Sequence, residues 1–89
     1  MISREFLISN KLGLHARPSA QLTQVAGRFE AEIYIARNGR RVNAKSIMGV
    51  MMLAAGPGTT ITVDADGPDE AQAIDEIGAL ITSRFGELE

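Results

Sequence analysis

The alternation of apolar and polar positions divides the chain into seven elements. Residues 2–9, ISREFLIS, place Ile2, Arg4, Phe6 and Ile8 on one face, the period of a half-buried strand. Residues 10–13 read as a loop, and a helix is expected to open near His15 or Ala16. In that helix Ala16, Ala20, Thr23 and Ala26 form a helical stripe with Leu22 beside it. Pro18 fits a first turn, where its missing N–H has no helical partner anyway, and Gly27 marks the stop. In AEIYIARNGRRVN, residues 31–43, Ile33 and Ile35 alternate with Glu32 and Tyr34, and Asn38-Gly39 suits a type I′ hairpin turn. SIMGVMMLA follows as a short apolar helix with Ser46 as its N-cap, broken by Gly56-Pro57-Gly58. TTITVDA gives a fourth strand through Ile61 and Val63. A last helix buries Ile74, Ile77, Ile81 and Phe85, with Asp69 and Gln72 spaced as a capping box.

The order is β-α-β-β-α-β-α. Four amphipathic strands cannot bury their apolar faces alone, so the helices should cover one side of a mostly antiparallel sheet. This is an α+β, open-faced two-layer sandwich. With 89 residues the chain is expected to form one domain, 1–89. Periodicity does not dictate the order of strands in the sheet.

Composition narrows the chemistry. There is no cysteine and one histidine, which removes thiolate catalysis and makes a structural zinc site a poor expectation; no metal or cofactor is expected. No apolar run approaches the roughly 20 residues of a membrane span. The N-terminus, charged at Arg4 and Glu5, does not read as a signal peptide, so a cytoplasmic protein without membrane insertion is expected. Residues 1–48 carry +5 and residues 49–89 carry −7. Either the two halves neutralise each other, or the first provides a basic docking face for an acidic or phosphorylated partner. The overall charge of −2 and 4% aromatic content offer little to nucleic acid.

The single histidine lies in KLGLHARPSA, residues 11–20. A helix N-terminus exposes unpaired N–H groups and behaves like about half a positive charge. Arg17, in the same first turn, adds a guanidinium that can donate two parallel hydrogen bonds to an anion. A neutral imidazole has a ring nitrogen lone pair and is a nucleophile near neutral pH. A phosphoryl group transferred to His15 would therefore place its oxygens where donors already point, and the phosphoramidate would stay reactive toward a second protein. A histidine at a helix start also serves as a cap or a partly buried polar group, and spacing alone leaves both readings open. No nucleophile–base–orienter set is evident, so a stand-alone enzyme is not expected.

GLHARPSA, followed about 30 residues later by AKSIMGVMML, resembles the HPr family, the histidine-containing phosphocarriers of the bacterial phosphoenolpyruvate-dependent phosphotransferase system. The resemblance runs over essentially the whole chain and includes Asn38-Gly39, Gly58-Thr59, Ala65, Gly67 and Asp69-Glu70. It implies a sheet of order 1-4-2-3 under three helices and a monomer. It implies phosphorylation of His15 on Nδ1, with Arg17 neutralising the phosphoryl group. Phosphorylated Enzyme I is the implied donor and IIA proteins or domains the acceptors.

By the same resemblance Ser46 is a regulatory phosphorylation site, served by an HPr kinase/phosphorylase and read by a transcription regulator. Partners are expected to dock on Ala16, Ala20, Ile47, Met48 and Met51. Val50 and Leu53 are the better core candidates in the second helix, which has too many apolar groups to bury them all. Two alternatives share these residues: a nitrogen-related carrier, and a mainly regulatory module acting through Ser46 and the methionine surface. Ser19, Met52 and Ala54 depart from the residues usual in the family. Ala54 replaces a frequent glycine, which would strain the helix end if that backbone needs a positive φ.

Overall fold

The structure, a computed structural model, describes residues 1–53 and 55–86. The elements are β1 (Ile2–Leu7), α1 (Ala16–Ala26), β2 (Glu32–Arg37), β3 (Arg40–Asn43), α2 (Ile47–Met52), β4 (Thr60–Asp66) and α3 (Glu70–Thr82), followed by a 3-10 turn at Arg84–Gly86. The sheet is antiparallel in the order β1-β4-β2-β3, and the chain has the expected α+β architecture. The position of Ala54, where strain at the end of α2 was at issue, lies outside the described residues.

Strand alternation sets the two faces. Ile33 pairs with Ala65 and Ile35 with Val63 across the β2–β4 ladder, and all four are buried beneath the helices with Ile61. From α3, Ile74, Ile77 and Ile81 join this core as the periodicity predicts, whereas Phe85, expected on the same helix, is buried from the 3-10 turn beyond it at φ of +57°. Gly78 lets α3 lie on β1: a Cβ there would stand 2.7 Å from the Phe6 ring. The hairpin turn has φ of +52° at Asn38 and +80° at Gly39, the two positive values that type I′ requires.

Three expectations need correction. The β1 ladder stops at Leu7, although Ile8 is buried and exchanges hydrogen bonds of 2.8 Å with Thr59 and Gly58. The buried face of α1 is Pro18, Ser19, Leu22 and Ala26, whereas Ala16 is exposed and Ala20 and Thr23 are half-buried. Small residues fit either environment, so Leu22 orients the helix and the alanines follow. Asp69 precedes α3 but makes no capping bond to it. Its two carboxylate oxygens instead accept the N–H groups of Glu30 and Ala31, each at 2.9 Å, while Gln72 donates to Glu76 at 3.1 Å. The Glu30 N–H, foremost, and then that of Ala31 hold the Asp69 carboxyl below the usual carboxylate value against an opposing effect of desolvation.

Candidate functional site

His15 stands where a tightly closed loop enters α1. The loop is drawn in by Asn10, fully buried, whose Nδ2 donates to the Gly13 carbonyl at 2.8 Å while the Gly13 N–H returns to the Asn10 carbonyl at 3.1 Å. Gly13 has φ of +65°, and a Cβ there would run into the Ala55 carbonyl oxygen and come within 2.7 Å of the Gly56 Cα. The Leu14 N–H donates to that same Ala55 carbonyl at 2.9 Å. Thus the segment preceding the histidine is pressed onto the segment following α2. From the other side Ser19, completely buried, donates its hydroxyl to the Leu14 carbonyl at 3.2 Å. This gives the unusual serine a local task.

His15 is the N-cap of α1 in extended backbone conformation, and its imidazole makes no capping hydrogen bond. It is half-buried: the side-chain capping reading does not hold, whereas a partly buried polar group at the helix start describes its burial. The first helical bond runs from Ser19 N–H to the His15 carbonyl at 3.0 Å, and the His15 N–H is taken by Gly13 at 2.9 Å. Pro18 has no N–H. The main-chain donors of Ala16 and Arg17 are therefore left without a helical acceptor beside the imidazole. The Arg17 side chain is exposed and has no hydrogen-bond or ion-pair partner among the described residues. The first turn of α1 thus carries the imidazole at its N-cap, two amide donors without helical acceptors and an exposed arginine, a set of groups suited to transient binding of a phosphoryl group.

Helix α1 packs against α2, which brings the second group of expected residues alongside. Ser46 opens α2 as an exposed N-cap, its Oγ accepting the Gly49 N–H at 3.2 Å. It belongs to α2 and not to the turn that holds His15. Val50 and Leu53 are buried, while Ile47, Met48, Met51 and Met52 are all exposed, so the apolar surplus in this helix faces solvent. Two residues that sequence reasoning missed fix the far end of α2. Arg37 and Arg40, paired across the hairpin, donate to the Leu53 carbonyl at 2.9 Å and the Met52 carbonyl at 3.1 Å. Their only sequence signal was a pair of cations flanking the Asn38-Gly39 turn.

The uneven charge is in part neutralised within the fold. Arg4 meets Asp75 at 3.2 Å and Arg41 meets Asp64 at 3.5 Å, joining the basic and acidic halves. Arg17 and Arg28, near the two ends of α1, are exposed with no ion-pair partner among the described residues. Within the described residues no helix is long and apolar enough to cross a membrane.

Known proteins share this arrangement. Residues 2–83 match the family model described as the PTS HPr component phosphorylation site. The chain is 62% identical to phosphocarrier protein HPr of Cupriavidus necator and 51% identical to that of Neisseria meningitidis, with both chains covered completely in each case. It superposes on a crystal structure of HPr-C-His from Thermoanaerobacter tengcongensis with a TM-score of 0.96 at 43% identity, again over the whole of both chains. With sequence, fold and the geometry around the histidine in agreement, the chain belongs to the HPr family of phosphocarrier proteins of the phosphotransferase system.

Proposed function

We propose that this protein is a stoichiometric phosphoryl carrier whose acceptor is His15. The observation that supports this most is the meeting, in one turn of α1, of an imidazole not used for capping, two amide N–H groups without helical acceptors and the exposed Arg17. The lone pair of Nδ1 attacks the phosphorus presented by phosphorylated Enzyme I. An N–P bond forms on His15 as the bond from phosphorus to the donor breaks, and the bonding pair leaves on the donor. Arg17 and the amide donors balance charge on the phosphoryl oxygens during the exchange. Transfer to a IIA protein or domain repeats the step with His15 as leaving group. The protein is then both product and substrate, and catalyses nothing by itself.

Ala16, Ala20, Ile47, Met48 and Met51 form the surface on which these partners dock as the carrier, a cytoplasmic monomer, moves between them. Ser46 modulates docking. Its exposed hydroxyl is open to an HPr kinase/phosphorylase, and a phosphate there adds about −1.5 to −2 charges beside the apolar surface. That charge repels acidic carriers of the pathway and creates a feature that a transcription regulator can read.

The test is a relay. Purified protein is labelled with phosphoenolpyruvate and Enzyme I, then mixed with purified IIA proteins of sugar permeases and of the nitrogen-related branch. Label should pass to at least one of them, and its identity assigns the branch. A protein that takes up no label, or holds label that no IIA protein can remove, contradicts the carrier role.

A further inference from the structure

We infer that Met48 and Met52 form a hydroperoxide-sensitive modification site on α2, oxidation of which slows phosphoryl exchange; the effect on exchange rests on the docking surface proposed above. The chain has no cysteine and four methionines, at positions 1, 48, 51 and 52, so its sulfur chemistry is concentrated on one short helix. Met48 is 66% exposed and Met52 59%, whereas Met51 is 37% exposed. Residues 48 and 52 are one helical turn apart and lie on the same side of α2, with Met51 next to them. Val50 and Leu53 anchor the opposite side in the core. The thioethers are thus held at the surface by the packing of the helix that carries them.

The chemistry needs only a hydroperoxide. A sulfur lone pair attacks the terminal peroxide oxygen, an S–O bond forms and the O–O bond breaks. Sulfur is oxidised by two electrons, and the peroxide is reduced to water or to the corresponding alcohol. The product sulfoxide is a polar hydrogen-bond acceptor where an adaptable apolar group had been, and a partner must now desolvate it on docking. The thioether can be restored by methionine sulfoxide reductases. An oxidant would then reduce flux through the carrier without touching His15.

Met1 supplies an internal control. It is 71% exposed but precedes β1, whose other end leads to the His15 loop. That separates it from the site by a six-residue strand, roughly 20 Å at 3.4 Å per residue. The protein alone is treated with hydrogen peroxide, the peroxide is removed with catalase, and sulfoxides are mapped by peptide mass spectrometry. Phosphoryl uptake from phosphoenolpyruvate and Enzyme I is then measured over a range of carrier concentrations.

Met48 and Met52 should oxidise ahead of Met51, and the carrier concentration for half-maximal uptake should rise roughly tenfold, as loss of one interface anchor, Met48, implies. Reductase treatment should reverse the change. The triple variant Met48→Leu, Met51→Leu, Met52→Leu, whatever its own untreated half-maximal concentration, should show the same value before and after peroxide, although its Met1 still oxidises. Absence of sulfoxide at 48 and 52, or unaltered uptake by protein shown to contain it, overturns the inference. An equal peroxide effect in the triple-leucine variant also overturns it. Failure of untreated protein to accept phosphate would instead count against the carrier role, so the two failures are distinct.

Discussion

The Leu14 N–H donates to the Ala55 carbonyl at 2.9 Å, joining the residue before the histidine to the segment after α2. The two helices that carry the candidate site are therefore connected by main chain as well as by side-chain packing. Gly13 makes this possible, because its positive φ and missing Cβ let the loop touch Ala55 and Gly56.

Replacement of Gly13 by alanine tests that connection. It adds a methyl group where backbone already stands and forces a non-glycine residue to a φ of +65°. We expect a stability loss of about 1–3 kcal/mol, read from urea unfolding, together with slower labelling of His15. Unchanged stability and labelling would show that the loop is not held in this way.

Arg17 separates charge balance from folding. Its side chain is exposed and without a partner among the described residues, so Arg17→Ala should alter stability by no more than about 0.5 kcal/mol. The rate of phosphoryl uptake should fall roughly a hundredfold, as for loss of one donor to developing charge. Arg17→Lys should recover part of the rate, since it restores the charge without the planar fork. Stopped-time labelling and thermal unfolding distinguish these outcomes.

At Ser46 capping and charge can be varied independently. Ser46→Ala removes the acceptor for the Gly49 N–H and should cost about 0.5–2 kcal/mol. Ser46→Asp keeps a capping oxygen and adds a negative charge beside the exposed face of α2. Its stability should stay near that of the unmodified protein, while its uptake from Enzyme I becomes slower and more dependent on salt.

Asp69 sets the response to acid. Its carboxyl lies below the ordinary value chiefly because the Glu30 N–H and the Ala31 N–H bond the ionised form. The folded state therefore binds that proton less readily than the unfolded chain does. The resulting stabilisation is complete above the unfolded value, near about 4, and is lost as pH falls through the lower folded value. Asp69→Asn should reduce stability at neutral pH and flatten the decline on the acid side. Urea midpoints taken across that range measure both effects.

The sequence made some features legible and hid others for definable reasons. Strands β2 and β4, the Asn38-Gly39 turn and the core face of α3 follow from strong local periodicity or from backbone angles that few residues adopt. The face of α1 does not, because alanine and threonine tolerate burial and exposure alike, and because the buried Ser19 is satisfied by a loop carbonyl at Leu14. Asp69 resembles a local cap in sequence, yet its partners are 38 and 39 residues away. Arg37 and Arg40 likewise find their acceptors only after the hairpin folds beside α2. At the site itself, His15 and Arg17 are close in sequence, so their proximity was readable; the support supplied by Ala55 and Gly56 was not.

The most direct measurement is the mapping of phosphate on protein incubated with phosphoenolpyruvate and Enzyme I. One acid-labile phosphate per chain is expected, located on an imidazole nitrogen of His15 and absent from a folded His15→Ala variant. An acid-stable phosphate, or an equal amount of label on His15→Ala, would contradict this expectation.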